Sequence, residues 1–347
     1  MKKLLKGKKA LFVGLLVTYG VLVILAISMG SANITPYSVL ISILKSIPFV
    51  GQYIEGDVSS THFLIVFMVR MPRIVMASLV GMGLSVVGAS FQSLFKNPMA
   101  DPYILGISSG AALGAVVAIV INLSSAVAHF STITVFAFIG AITTTILVYS
   151  IAQVRGKVLT TNLLLAGSAV SFLMSAMISI IMVFNQEEVN KIVFWMMGSF
   201  NASSWNNILI VAPVVLIGTA IIFFYHRDCN LMLTGEDDAK SLGVETEKLK
   251  KLIIIISAMI VAVSVAFSGT IGFVGFIVPH MVRILFGPNN KALIPFSALG
   301  GAIFLLLADT VARTIATPAE LPVGAITALI GAPYFIYLLL KMKKRSA

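Results

Sequence analysis

Apolar runs of membrane-spanning length recur from Leu11 to Leu340, separated by short stretches that carry most of the charge. A spanning helix needs about 20 predominantly apolar residues. Reading the runs against turn and charge signals gives ten spans, approximately 11–29, 65–93, 105–122, 133–152, 162–184, 207–225, 252–268, 271–286, 293–311 and 321–340. Composition agrees: 11% of the 347 residues are charged, where a soluble domain carries roughly 25%. The expected class is an all-α, polytopic integral membrane protein forming one transmembrane domain over residues 1–347.

The first run follows Lys2, Lys3, Lys6, Lys8 and Lys9 and precedes Gly30, Ser31 and Ala32, a layout that superficially suggests a signal peptide. The run from Leu11 to Met29 exceeds the roughly 7–15 residues of a signal core, so it reads as a retained span. With the amino terminus inside, all the basic residues except Lys45, Arg70, Arg73, Lys191 and Arg313 fall on inner segments. The positive-inside rule expects that bias, which puts both termini in the cytoplasm. The net charge of +11 is therefore a matter of sidedness, not a nucleic-acid surface, and the lone Cys229 excludes an internal disulfide.

Helices in lipid associate through small residues that let backbones approach. Ala77, Gly81, Ser85 and Ala89 recur every fourth residue in the second span, and Gly110 and Gly114 form a GxxxG pair in the third. Gly167, Ser171, Ser175 and Ser179 share one face of the fifth. That face either lines a wet path or bonds to its own i−4 carbonyls inside a packed bundle.

Ion-coupled carriers keep ionisable groups within their spans. Here Asp101 and Glu320 fall at span ends and Asp309 in the last turns of its span. No GxxxxGK[ST] nucleotide loop occurs either, so a pump of this kind draws its energy from another chain. Residues 227–251 form the longest polar stretch between spans and read as a short helix presented to a partner.

Three blocks point further. Arg70-Met71-Pro72-Arg73 leads on to Asn97-Pro98-Met99-Ala100-Asp101-Pro102-Tyr103-Ile104-Leu105-Gly106. The second block is Gly269-Thr270-Ile271-Gly272-Phe273-Val274-Gly275-Phe276-Ile277-Val278-Pro279-His280. The third joins Leu307-Ala308-Asp309-Thr310-Val311-Ala312-Arg313 to Glu320-Leu321-Pro322-Val323-Gly324. In this order they resemble the FecCD family of ATP-binding-cassette importer permeases, which move vitamin B12, ferric siderophores and haem.

The resemblance implies a type II importer permease fold of about ten helices. It also implies a homodimer or pseudo-dimer with a paralogue, two cytoplasmic ATPases carrying ATP and Mg, an external substrate-binding protein, and no cofactor or metal held by this chain. It makes Arg70, Arg73 and Arg313 docking residues for glutamates of the binding protein; interfacial snorkelling, or pairing of Arg313 with Asp309, is the alternative. Leu231, Leu233, Gly235, Ala239, Leu242 and Gly243 become the ATPase-coupling surface, with Val244 adding apolar contact. Asn97, Met99, Thr160 and Thr161 become cytoplasmic gates. His280 lacks companion ligands for a metal site, and Met196 and Met197 beside Trp195 suit a small packed helix at least as well as cargo contact. An ion-coupled carrier, a metal-ion importer of another family and an intramembrane enzyme are the rival classes.

Overall fold

The computed structural model describes residues 2–30, 32, 34–46, 49, 51–53, 59–122 and 131–346; Ser31, in the cleavage-like stretch after the first run, lies outside them. Its helices are α1 (Lys2–Ser28), α2 (Pro36–Ser46), α3 (Ser60–Leu64), α4 (Met71–Leu94), α5 (Ile107–Ile121), α6 (Thr132–Ala152), α7 (Thr160–Phe184), α8 (Val189–Met196), α9 (Trp205–Phe224), α10 (His226–Met232), α11 (Glu236–Ser241), α12 (Thr246–Ser268), α13 (Val274–Phe286), α14 (Asn290–Thr314) and α15 (Val323–Ser346). Among the described residues eight long apolar helices and two shorter ones, α5 and α13, correspond to the ten expected apolar runs. Two elements were not foreseen: α2, and an antiparallel hairpin of β1 (Gln153–Val154) and β2 (Lys157–Val158) between α6 and α7.

The second crossing runs from Ser60 to Leu94, with a π-helical stretch over Ile65–Arg70 joining α3 to α4. Pro72 explains the widening, because its ring has no N–H and crowds the carbonyl four residues back. α4 is the hub of the bundle, buried along nearly its whole length and packed most heavily against α14. The small-residue face is the contact: Ala77, Ser85 and Ala89 are fully buried. Gly81 meets Gly301 so closely that a Cβ on either overlaps the other's carbonyl. Gly110 and Gly114 likewise let α5 close onto α6.

α5 and α13 are shorter than the runs that predict them because both begin inside the bundle. The 13 residues of α13 rise only about 20 Å, short of a 30 Å hydrocarbon core. A 3-10 turn, Pro102–Leu105, leads into α5, and unwound backbone precedes α13; such backbone persists at depth only where protein surrounds it. The Tyr103 hydroxyl donates to the Ile271 carbonyl at 2.9 Å and accepts the Ile271 N–H at 3.1 Å, tying the two approaches together. Phe273 caps α13 in a left-handed conformation, φ 68°, that a bulky residue adopts only when its surroundings impose it. Gly331 of α15 supplies the room, since a Cβ there would overlap the Phe273 ring.

Candidate functional site

The end of the bundle carrying the termini also carries the polar 226–251 region. It folds as two short helices, and each is anchored to the body by a different polar network. Asn230 of α10 accepts the Asn290 backbone N–H at 2.7 Å and its side-chain amide at 3.0 Å. Ser93 of α4 donates to the Asn290 side-chain oxygen at 2.9 Å, so α10 is joined to the ends of α14 and α4. Asn290 is fully buried, and a buried amide left unpaired is costly. Cys229 beside this junction is also buried, which pushes its thiol up to about 12.

The second anchor is ionic. Lys250 of α12, 4% exposed, reaches Glu236 of α11 at 2.6 Å and Glu247 at 3.1 Å. Glu247 also accepts the Val158 N–H of β2 at 3.1 Å. One buried ammonium thus connects α11, the foot of α12 and the hairpin leading into α7. Partial burial raises the Glu236 carboxyl, but bonds from Lys250 and Lys240 outweigh it and hold it at about 2.

This arrangement divides the residues expected at the coupling surface. Ala239 is fully buried, and Leu231 and Val244 pack against the main core, so they hold the segment onto its own chain. Leu233 is half-buried and Leu242 is 63% exposed. Gly235 and Gly243 have φ of 155° and 88° and bound α11, which suits residues without a Cβ. The outward surface is Leu242 with the charged rim of Asp237, Asp238 and Lys240.

The four residues expected to act as gates lie at this same end. Asn97 turns its side chain back to accept the Met99 N–H at 2.9 Å, which shapes the loop after α4. Met99 lines a small cavity with Phe276, His280 and Lys341. Thr160 and Thr161 open α7 directly after the hairpin, Thr161 exposed. His280 stacks near Phe276 and Tyr334, in an aromatic setting.

The expected serine face of α7 divides. Gly167 packs against the Ile104 carbonyl and Ser171 accepts from Ser109 at 3.1 Å, so this half is a helix contact. Ser175 and Ser179 are exposed, and Ser179 bonds the Ser175 carbonyl at 3.0 Å. Around them α7 leaves Phe172, Ile180 and Phe184 uncovered, at 77%, 58% and 81% exposure.

At the opposite end the three arginines expected to face outward are buried, and the reason is local. Arg73 clasps Asp309 through Nε and Nη2, at 3.0 and 2.8 Å, and reaches Glu320 at 2.9 Å. Arg70 donates to the carbonyls of Ile27, Ser28 and Ala32, and Arg313 to those of Ala26 and Met29. Together they close the end of α1 onto α4 and α14. Of their carboxylate partners Asp309 is buried, and Glu320 keeps 37% of its side chain exposed.

Eight helices of spanning length among the described residues, two shorter apolar helices, unwound backbone held within the bundle and an anchored two-helix segment at one end fit a multi-pass membrane permease. The comparisons agree. The chain belongs to the FecCD transport family, whose model matches residues 16–341. It is 46% identical over 286 residues to the cobalamin import system permease protein BtuC of Halobacterium salinarum, a match covering 82% of this chain and 76% of that one. It is 37% identical over 280 residues to the hemin transport system permease protein HmuU of Yersinia pestis, covering 80% and 83%. A solved ABC transporter described as of metal-chelate type, in an inward-facing conformation, superposes with a TM-score of 0.81 at 32% identity, covering 96% of this chain and 99% of that one.

Proposed function

We propose that this chain is the transmembrane subunit of an ATP-binding-cassette importer that takes up a metal chelate, haem or corrinoid. It works as a homodimer, or beside a paralogue, between two cytoplasmic ATPases and an external binding protein, with both its termini cytoplasmic. Its relatives include permeases named for cobalamin, hemin and Fe(3+)-citrate import, which supports that substrate class. The chain performs no bond chemistry; ATP and Mg act on the ATPases.

The carrying observation is the Lys250 junction. An ATPase that grips Leu242 and the acidic rim of α11 pulls on Glu236, and Lys250 passes the displacement to Glu247 and the Val158 strand. That strand leads into Thr160 and Thr161, so movement at the partner surface becomes movement of α7. The uncovered apolar face of α7 supports pairing with a second copy, with Ser175 and Ser179 beside the path. Docking of the binding protein then falls at the mouth of the arginine clasp, where a partner glutamate competes with Glu320 for Arg73.

Proteoliposomes holding this chain with its ATPase and binding protein test the reading. Uptake of cobalamin, haemin or ferric citrate should require internal ATP and stop with vanadate. Uptake that follows a proton or sodium gradient and ignores ATP would overturn it.

A further inference from the structure

Beside the coupling segment, α1 and the start of α14 enclose a cavity of about 430 Å³ that the transport cycle described above does not use. Its floor is apolar and fixed. Phe12 meets Phe296 edge to face with ring centroids 5.3 Å apart, and Phe286 stacks on Phe296 at 4.0 Å. Val13, 58% exposed, continues this wall along α1.

The rim is basic. Lys8, Lys9 and Lys291 line it, and Lys8 is positioned by a 2.8 Å bond from its ammonium to the Phe286 carbonyl at the end of α13. An ammonium has three donors, so that bond leaves Lys8 able to bind an anion as well. Among the described residues no carboxylate lines the cavity. Nor does the sequence hold one before Glu55 or between Glu247 and Asp309, the stretches that build it. Among the described residues none of the three ammonium groups forms an ion pair.

The occupant that satisfies both parts is an anion covalently joined to an apolar tail. Inorganic phosphate answers only the rim, and a neutral lipid only the floor. Lysines flanking a spanning helix sit where headgroups meet hydrocarbon, and basic pockets between helices on the cytoplasmic side hold anionic headgroups. We propose that this cavity binds an acidic phospholipid, its phosphate among Lys8, Lys9 and Lys291 and an acyl chain along Phe12, Val13 and Phe296. The bound lipid joins α1, which is otherwise largely exposed, to α14. The inference is independent of the transported substrate, so its failure leaves the transport reading standing.

Native mass spectrometry and thermal unfolding of the full-length protein in detergent, titrated with phosphatidylglycerol, phosphatidylcholine or inorganic phosphate, test it. Phosphatidylglycerol should be retained and should raise the unfolding temperature, whereas the other two should not. The Lys9→Ala/Lys291→Ala variant should lose affinity by about thirtyfold, in line with the attraction of anionic lipid surfaces for each of two lysines. Lys248→Ala/Lys251→Ala, which removes two lysines elsewhere, should leave affinity unchanged. Val13→Trp, which fills the groove and keeps the charges, provides a second route if the lysine variant folds poorly, and it should also lose the lipid. Undiminished retention by Lys9→Ala/Lys291→Ala or by Val13→Trp, equal loss in the control pair, or equal stabilisation by inorganic phosphate each overturns the proposal.

Discussion

The two ends of this bundle are both held by buried cations, but they are built for different purposes. At one end Arg70, Arg73 and Arg313 spread planar guanidinium forks over a buried carboxylate and several helix-end carbonyls. At the other, Lys250 offers a single ammonium to two partly exposed carboxylates and one strand. A guanidinium fixes several partners in a plane, while an ammonium is a point charge that its partners can leave and rejoin. The arginine end is a closure for α1, α4 and α14. The lysine end is the junction proposed to transmit movement, and the partial exposure of its carboxylates keeps its net stabilisation small.

The sharpest way to break the contrast is Asp309→Ala, which leaves Arg73 and Arg313 buried without their shared carboxylate. Removing one partner of a buried pair costs about 3–5 kcal/mol, so the variant should unfold at markedly lower denaturant; a loss below about 1 kcal/mol would show the clasp to be dispensable. Lys250→Met is expected to cost about 1 kcal/mol, because Glu236 is solvated on one side. It should nevertheless reduce ATP-driven uptake by tenfold or more while ATPase binding persists, and uptake at the wild-type rate would dismiss the junction as a transmitter. Acid titration sharpens the same point. The Glu236 carboxyl lies at about 2 against an ordinary 4.5, so its contribution is present above about pH 4.5 and is lost as pH falls toward 2. Glu236→Gln should flatten the stability profile in that window, and an unchanged slope there would assign the acid sensitivity to another group. The smallest effect belongs to Lys248→Ala, which breaks an exposed pair with Glu245 and should stay within about 0.5 kcal/mol.

Much of the fold was legible because membrane spanning is a one-dimensional constraint. Ten apolar runs predict ten crossings, and the small residues of α4 predict its contact with a neighbouring helix. The boundaries of α5 and α13 were not legible, since an apolar run reads the same whether it crosses fully or begins inside the bundle. At the site, the presence of a polar segment between spans was readable from its composition. The orientation of its side chains was not: Leu231 and Ala239 face inward for packing reasons that no local pattern encodes. Asn230, Asn290 and Lys250 were missed, because a polar residue near a span end looks solvated until its distant partner is known. A lysine within a span-capping run, three residues after Glu247 and fourteen after Glu236, was the only available hint.

By itself the sequence determined the class, the apolar segments and the family, because the bilayer forces apolar length and the family motifs lie in order along the chain. Only the tertiary structure decided which charges are presented and which are consumed internally. Arg70, Arg73 and Arg313 are outer-end residues by sequence, but their partners lie more than thirty residues away for Arg70 and more than two hundred for Arg73. Ion-pair and hydrogen-bond partners are chosen by three-dimensional proximity, and burial sets what each is worth.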